Sequence, residues 1–270
     1  MTAAAKPPPA APLLAVDTLT AGVAGRTLVR DLSLRVHPGE VWAVLGSNGS
    51  GKTTLLHTLV GLHRAAGGSI ALLGKPLAQW PAGEAAKVRG FLPQFIHDSF
   101  AAPVIDIVLM GRHPHLSRWR WEGDSDRALA AAALAAMDLE AFAQRDITTL
   151  SGGERQRAAI AALLTQDPQL LLLDEPVAHL DLHHQITVLA HLADIARDQG
   201  KAIVLSLHDP NLARRFATHA VILFDDAKVR AGRTDQVIDA ATLSEAYGHP
   251  VIEIVDGKSG DGGERAFVPA

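Results

Sequence analysis

The chain has 270 residues, and 25 lysines and arginines against 29 acidic residues give it a net charge of −4. Hydrophobic residues make up 48% and charged residues 20% of the sequence, a balance that excludes a disordered chain and argues against an integral membrane protein. The charge offers no global positive field for nucleic acid, and the absence of cysteine excludes disulfides, thiolate metal sites and a cysteine nucleophile.

The first part of the chain predicts a lead-in and an antiparallel sheet. Residues 1–12 hold a lysine and three consecutive prolines where a secretory signal needs an apolar core, and we expect a disordered segment. Residues 13–36 are rich in Val, Leu and Thr, and their turn-forming glycines favour antiparallel strands. Residues 41–45 predict a buried strand, followed by a glycine-rich loop and a helical pattern over 52–62.

The second part predicts parallel strands around a helical insert. Alanine and leucine are frequent in residues 95–165, which indicates an inserted helical subdomain. Residues 170–173 and 202–207 are continuously apolar, as expected for parallel strands covered on both faces. Residues 257–270 have few apolar anchors, and we expect a mobile tail. The longest apolar run, residues 128–137, is well short of the ~20 residues that a membrane-spanning helix needs.

Residues 46–53 read GSNGSGKT and match the phosphate-loop pattern between a predicted strand and a predicted helix. Backbone N–H groups and the positive end of the helix predict a cradle for nucleotide phosphates. Lys52 is expected to reach the β- and γ-phosphates, and Thr53 to bind Mg²⁺. The alternative is a glycine-rich turn without a chemical role. The predicted cradle consists of Gly46, Ser47, Asn48, Gly49, Ser50, Gly51, Lys52, Thr53 and Thr54.

Two acidic residues, Asp174 and Glu175, follow the apolar strand at 170–173. Asp174 is expected to hold Mg²⁺ through its water shell, and Glu175 to orient or deprotonate the attacking water. An acidic pair after a strand is also typical of a helix N-cap. The phosphate loop upstream favours the catalytic interpretation.

Residues 150–157 read LSGGERQR, which resembles the signature of the ABC ATPases, and other elements of that family follow in order over residues 13–255. The resemblance implies an α/β fold: a P-loop NTPase core with a mainly parallel sheet, an N-terminal antiparallel β subdomain and an inserted α-helical subdomain. The ATPase domain would span residues 13–256. The implied activity is hydrolysis of ATP to ADP and phosphate, with Mg²⁺ as the metal cofactor.

The same resemblance assigns roles to three further residues. Gln94, in FLPQ, resembles the Q-loop glutamine, which touches the metal or water and senses the membrane partner. His208, in LSLHD, resembles the switch histidine, whose imidazole can donate to the γ-phosphate; a packed structural histidine is the alternative. Asp181 resembles the D-loop aspartate of the dimer interface. The expected catalytic residues are Lys52, Gln94, Glu175 and His208, and the expected metal ligands are Thr53, Gln94 and Asp174.

The signature offers a second anion site, because Ser151 presents a hydroxyl and Gly152 and Gly153 present backbone N–H groups at the start of a helix. In the family, each signature caps the ATP of the other copy in a head-to-tail dimer, and we expect the same ATP-dependent homodimer here. The alternative is that Ser151 and Glu154 merely cap the helix.

One element of the family pattern is missing. Members stack adenine on an aromatic residue at the position of Val23, and no Phe, Tyr or Trp precedes Trp42. Because such stacking contributes ~1 to 3 kcal/mol, we expect weaker nucleotide binding and looser base selectivity. Trp42 itself fits a packed strand residue better than a substitute for the lost ring.

Residues 111–115 (GRHPH) and 179–185 (HLDLHHQ) resemble segments of importers for iron chelates, haem and cobalamin. The resemblance implies integral-membrane permease subunits, an indirect substrate-binding protein and a peripheral position on the cytoplasmic face of the inner membrane. The resemblance does not rank iron-siderophore, haem and cobalamin as the cargo. The direction of transport rests on the resemblance alone. A soluble ABC ATPase acting on DNA or ribosomes and a non-hydrolysing regulatory module are the alternatives.

The histidine-rich and tryptophan-rich segments predict neither a metal site nor nucleic-acid binding. His183 and His184 diverge by roughly 100° on a helix, so they do not easily share an ion. His113 and His115 could share a strand face, but Pro114 between them and the family resemblance favour a loop near the permease contact. Acidic residues dilute the arginines around Trp119 and Trp121, which indicates a partner-facing or solvent-covering segment, and no nucleic-acid partner is expected.

Overall fold

The computed structural model describes residues 11–95, 101–116, 122–255 and 265–270. Strands and helices alternate through the core, as the apolar patterns predict. The strands are β1 (Leu14–Val23), β2 (Arg26–Val36), β3 (Val41–Leu45), β4 (Gly67–Leu72), β5 (Lys75–Pro76), β6 (Arg89–Leu92), β7 (Leu170–Leu173), β8 (Ala202–Ser206), β9 (His219–Leu223), β10 (Val229–Arg233), β11 (Val251–Val255) and β12 (Arg265–Pro269).

Helices cover both faces of the central sheet, and further helices form the insert between β6 and β7. They are α1 (Lys52–Val60), α2 (Ala82–Val88), α3 (Val104–Leu109), α4 (Asp124–Ala136), α5 (Gly152–Gln166), α6 (Leu182–Gln199), α7 (Pro210–Phe216), α8 (Thr234–Val237) and α9 (Ala240–Tyr247). Short 3-10 turns lie at Leu77–Gln79, Met110–His115, Glu140–Phe142 and Ile147–Thr149.

The central sheet has the strand order β10-β9-β3-β8-β7-β6. Its pairs are parallel except β9 with β10. Every residue of β3, β7 and β8 is buried, since helices cover both faces of these continuously apolar strands. The carboxyl ends of β3, β7 and β8 lead directly into residues 46, 174 and 207, so one edge of the sheet gathers the predicted chemistry.

The N-terminal sheet is antiparallel, as predicted, with the order β2-β1-β4-β5. Buried and exposed residues alternate along much of β2. The apolar face packs with α1 and β3 in one core, and this core includes Trp42, which is only 5% exposed. Trp42 is therefore a packed strand residue, as predicted.

The predicted helical subdomain is confirmed between β6 and β7, where α3 and α4 both pack on α5. Val108, Leu134 and Ile160 belong to their shared core. Trp119 and Trp121 lie outside the described residues. Among the helices that the structure describes, none has the length and apolar character to cross a bilayer.

The prediction of a mobile tail at 257–270 is wrong for its last part. Arg265–Pro269 form β12, which pairs antiparallel with β11. The physical reason is Phe267, an apolar anchor that is 4% exposed and belongs to the main core. The rest of that tail, and residues 1–10 of the predicted lead-in, lie outside the described residues.

Candidate functional site: a phosphate loop facing two acidic residues

The phosphate loop connects β3 to α1, and glycine is required at two of its positions. Gly51 has φ 108°, and a Cβ there would lie 2.8 Å from Leu28 Cβ. Gly46 has φ 150°, and a Cβ there would lie 2.8 Å from the carbonyl oxygen of Leu223. The backbone conformation and the close neighbours exclude side chains, so the loop presents its main chain to the space in front of α1.

Lys52 lies in the first turn of α1 and is only 5% exposed. Its Nζ donates to the carbonyl oxygens of Gly46 at 2.9 Å and Ser47 at 3.1 Å. Burial lowers the pKa of Lys52, and the carboxylates of Glu175 and Asp174 oppose that shift. The ammonium is thus held by the loop itself, in a place where phosphate oxygens can replace carbonyl oxygens as acceptors.

Asp174 ends β7 and is completely buried. Its Oδ1 accepts a 2.7 Å hydrogen bond from Ser206 Oγ, while Oδ2 is buried without a hydrogen-bond partner. The Ser206 hydroxyl oxygen also accepts from the Glu175 backbone N–H at 2.7 Å. One hydroxyl therefore fixes both acidic residues and leaves one carboxylate oxygen available to a cation.

Glu175 is bound on both carboxylate oxygens. Gln94 Nε2 donates to Oε2 at 2.8 Å, and His208 Nε2 lies 2.7 Å from Oε1. The Glu175 side chain is 11% exposed, whereas that of His208 is 46% exposed. Glu175 also has the positive φ of 48°, a conformation that side chains rarely adopt and that recurs at functional sites. The structure thus brings two expected catalytic residues, Gln94 and His208, onto the carboxylate of a third, Glu175.

The outer part of the loop is tied to the β9–β10 turn. Ser47 Oγ donates to Asp225 Oδ1 at 2.8 Å, while Asn48 and Gly49 are exposed. Thr53 and Thr54 are half-buried in the first turn of α1. The sequence interpretation missed Asp225 and Ser206. Ser206 could have been found from the sequence, because it is the polar residue at the end of the otherwise apolar strand β8.

The signature residues begin α5. Ser151 Oγ accepts from Glu154 N at 3.3 Å, and Glu154 Oε2 accepts from Ser151 N at 2.7 Å, which completes a capping box. Ser151 and Gly152 are exposed, whereas Gly153 packs closely against the carbonyl of His179. The capping alternative therefore accounts for Ser151 and Glu154, and it leaves the exposed glycine N–H unexplained.

Asp181 similarly caps a helix. Its Oδ1 accepts from the backbone N–H of His184 at 2.9 Å, and the His184 ring nitrogen Nδ1 lies 2.9 Å from the same carboxylate. Both hydrogen bonds lower the pKa of Asp181. The rings of His183 and His184 meet edge to face, with centroids 5.3 Å apart. These contacts order the start of α6 and do not involve the phosphate loop.

The expected loop at 111–115 is instead a 3-10 turn, Met110–His115, which contains Pro114. Arg112 accounts for this order, because its guanidinium pairs with Asp126 at 2.8 Å and donates to the carbonyl of Thr165 at 3.1 Å. A ring nitrogen of His115 lies 2.8 Å from the carbonyl oxygen of Gln166. The turn is thus fixed to the C-terminal end of α5, opposite the signature.

Val23, at the position where an adenine-stacking ring is missing, is 51% exposed. It ends β1 and faces Arg26 across the turn to β2. The side chain has room for replacement by a larger one, and the expected effect on nucleotide affinity stays a prediction.

Comparison with known proteins agrees with this geometry. Residues 29–178 match the family model described as ABC transporter. The chain is 45% identical over 233 residues to a hemin import ATP-binding protein of Gloeobacter violaceus, covering 84% of each chain. It is 38% identical to a probable siderophore transport system ATP-binding protein of Bacillus subtilis, covering 87% of this chain and 85% of the relative.

Among solved structures, the fold matches a metal-chelate type ABC transporter in an inward-facing conformation. The TM-score is 0.83 at 32% identity, and the match covers 96% of this chain and 98% of that one.

Proposed function

The chain belongs to the ABC transporter family, and we propose that it is the ATP-hydrolysing subunit of an importer for a chelated metal or corrinoid. The observation that carries this proposal is the Glu175 carboxylate, which Gln94 and His208 hold beside the buried ammonium of Lys52. A phosphate cradle, a water-orienting carboxylate and a histidine donor are the parts that phosphoryl transfer to water needs.

In the proposed reaction, a water oxygen attacks the γ-phosphorus, the bond to the β–γ bridging oxygen breaks, and ADP leaves. Lys52 exchanges its bonds to loop carbonyls for bonds to phosphate oxygens. Glu175 orients the water and accepts its proton, which requires one oxygen to be released by Gln94 or His208. His208, once released, donates to the transferring phosphate through Nε2.

The residues present fit a magnesium ion. Asp174 Oδ2 is buried without a hydrogen-bond partner, and oxygen ligands are those that Mg²⁺ prefers. The Thr53 hydroxyl and the Gln94 side-chain oxygen complete the proposed ligand set, with Asp174 acting through the water shell. When bound, Mg²⁺ neutralises charge that develops on the β- and γ-phosphates.

We infer that two copies of the chain form a head-to-tail dimer around ATP. The exposed Ser151 and Gly152 begin a helix of 15 residues, where backbone N–H groups and the helix dipole favour an anion. Asp181, which is also exposed, follows the segment that packs against Gly153. A second copy can use these groups to cover the triphosphate that the phosphate loop holds from the other side.

The proposed partners are integral-membrane permease subunits, with a substrate-binding protein acting indirectly. The chain would then lie on the cytoplasmic face of the inner membrane through the permease. The named relatives support hemin or an iron siderophore as cargo, and cobalamin is the third candidate from the sequence resemblance. An ATPase subunit contacts nucleotide and permease, so its own residues do not rank the three.

Glu175→Gln tests the hydrolase proposal. The variant should lose turnover while retaining ATP-bound dimers, because the amide keeps the shape of the carboxylate and loses its basicity. ATP hydrolysis is measured as phosphate release, and the dimer by light scattering. Turnover that persists in Glu175→Gln would show that another group orients the water.

Affinity purification of the tagged full-length chain from membranes tests the partner. Recovery with a multi-spanning membrane protein supports the importer, whereas recovery with only ribosomes or DNA supports a soluble ABC ATPase. Growth of a deletion strain is then compared with haem or an iron siderophore as the sole source of iron, and with cobalamin as the sole source of corrinoid. The compound that no longer supports growth identifies the cargo.

A further inference from the structure

Tyr247, the single tyrosine of the chain, joins two parts of the proposed site. Its hydroxyl donates to the backbone carbonyl of His208 at 3.3 Å. The backbone N–H of Gly46 lies close to the same phenolic oxygen, where it favours a lower pKa of the phenol. One side chain therefore connects the first residue of the phosphate loop to the residue that contacts Glu175. Tyr247 ends α9 and lies outside residues 29–178, which match the family model.

The C-terminal hairpin of β11 and β12 anchors the other side of the His208 segment. Asn211 Nδ2 donates to the carbonyl of Phe267 at 3.1 Å, and Asn211 Oδ1 accepts from the Phe267 N–H at 2.7 Å. Arg214 pairs with Glu253 at 3.3 Å, and its guanidinium also lies over the ring of Phe267. Because α7 begins two residues after His208, these contacts fix the chain that follows it.

The His208 side chain is half exposed, so its position depends on the backbone that carries it. The bond to Tyr247 fixes the carbonyl of His208, and the hairpin fixes α7. Burial raises the pKa of Tyr247 to about 12, with a further contribution from Asp209, so the phenol stays protonated and remains a donor.

We propose that Tyr247 is a positioning residue for hydrolysis, which holds the backbone of His208 against the phosphate loop so that its imidazole reaches Glu175 and the γ-phosphate. The inference rests on the proposed function as an ATPase. Tyr247 transfers no proton and touches no substrate in this role; it acts through His208 and Gly46.

Tyr247→Phe removes the hydroxyl and retains the ring. Ser244→Ala is the matched control, because Ser244 belongs to the same helix and its hydroxyl donates to the carbonyl of Ala240 and accepts from the Val251 N–H. Both variants lose one hydroxyl from α9. Within the part of the chain that the structure describes, the Ser244 hydroxyl bonds only to Ala240 and Val251, which are not residues of the site. Measurements on the full-length chain are kcat, the Kd of ATP and Tm.

We expect Tyr247→Phe to lower kcat about 3- to 10-fold, the factor that one neutral hydrogen bond accounts for, with a change of less than about twofold in the Kd of ATP. Both variants should lower Tm by a similar amount, because each loses one hydroxyl. Ser244→Ala should leave kcat within about twofold of the wild-type value. A wild-type kcat in Tyr247→Phe would overturn the inference. An equal loss of kcat in both variants would overturn it too, since the effect would then be general destabilisation.

Because Tyr247 is the single tyrosine, biosynthetic 3-fluorotyrosine places one ¹⁹F label at this position. We expect its NMR resonance to move when Mg-ATP binds and to differ in the His208→Ala variant. A resonance that neither change affects would contradict the coupling.

The two proposals fail in distinguishable ways. If wild type and Ser244→Ala hydrolyse ATP and Tyr247→Phe matches them, only the role of Tyr247 is wrong. If wild type hydrolyses no ATP in the presence of its membrane partner, the proposed function is wrong, and the inference built on it falls as well.

Discussion

Gln94 and Glu175 lie 81 positions apart in the chain, and Gln94 Nε2 donates to Glu175 Oε2 at 2.8 Å. The amide occupies one of the two carboxylate oxygens that could accept a proton from an attacking water. Gln94 follows β6 and Glu175 follows the paired strand β7, so adjacent parallel strands deliver both side chains to one edge. Displacement of Gln94 would therefore free this carboxylate oxygen, and this is the route by which we propose that a permease subunit acts on hydrolysis.

Ser206→Ala should weaken both folding and turnover. The substitution removes the donor to the buried Asp174 and the acceptor for the Glu175 N–H. Leaving buried polar groups unsatisfied costs about 1–3 kcal/mol, so we expect a lower free energy of unfolding by roughly that amount and a lower kcat.

Denaturant unfolding and phosphate release measure these two effects. Thr165→Val is the control, because Thr165 is also buried and its hydroxyl donates to a helix carbonyl, that of Ala161. This control should lose stability without losing activity per folded molecule. Full activity in Ser206→Ala would remove Ser206 from the site.

Lys52→Met should weaken ATP binding. Hydrogen bonds to charged groups contribute about 1.5–3 kcal/mol, so the Kd should rise about 10-fold or more. Isothermal titration calorimetry measures the Kd, with Lys87→Met as the control, since Lys87 is exposed and pairs with Glu84. Unchanged binding in Lys52→Met would contradict a phosphate contact.

Val23→Tyr should tighten ATP binding. An exposed ring beside the nucleotide can stack on adenine, a contact of ~1 to 3 kcal/mol, which corresponds to a decrease of about 5- to 150-fold in Kd. Val23→Leu supplies apolar bulk without a ring and should change the Kd little. Equal affinities for the Tyr and Leu variants would show that adenine is held elsewhere.

Stability should fall as the pH decreases through the range of an ordinary histidine. Burial lowers the pKa of His219, with Arg233 and His37 contributing and Glu40 opposing, and the ring of His219 stacks on Trp42 with centroids 4.6 Å apart. A lowered folded-state pKa means that the unfolded chain binds the proton first, so the contribution is complete above pH ~6.5 and is lost as the pH falls toward the folded pKa.

His219→Phe keeps a ring against Trp42 and removes the titrating group. The difference in Tm between pH 7.5 and pH 5.5 should be smaller in this variant than in wild type. Thermal unfolding followed by circular dichroism measures that difference, and an unchanged difference would assign the pH dependence to other groups.

The sequence alone determined the local features of this protein. The phosphate loop, the buried strands β3 and β7 and the acidic pair after β7 follow from composition, spacing and the order of apolar segments, because each depends on residues close in the chain. The capping box at Ser151 was predictable for the same reason.

Only the tertiary structure decided which distant side chains meet. The family resemblance placed Gln94 and His208 in the site, but strand order and crossovers decided that both contact Glu175 and that Ser206 holds Asp174. The sequence interpretation also missed that residues 265–269 form the strand β12. Phe267 is held there by Asn211 of α7, more than fifty positions earlier in the chain. The pattern of apolar residues predicts that a residue is buried, whereas the packing of the whole chain determines which residues it contacts.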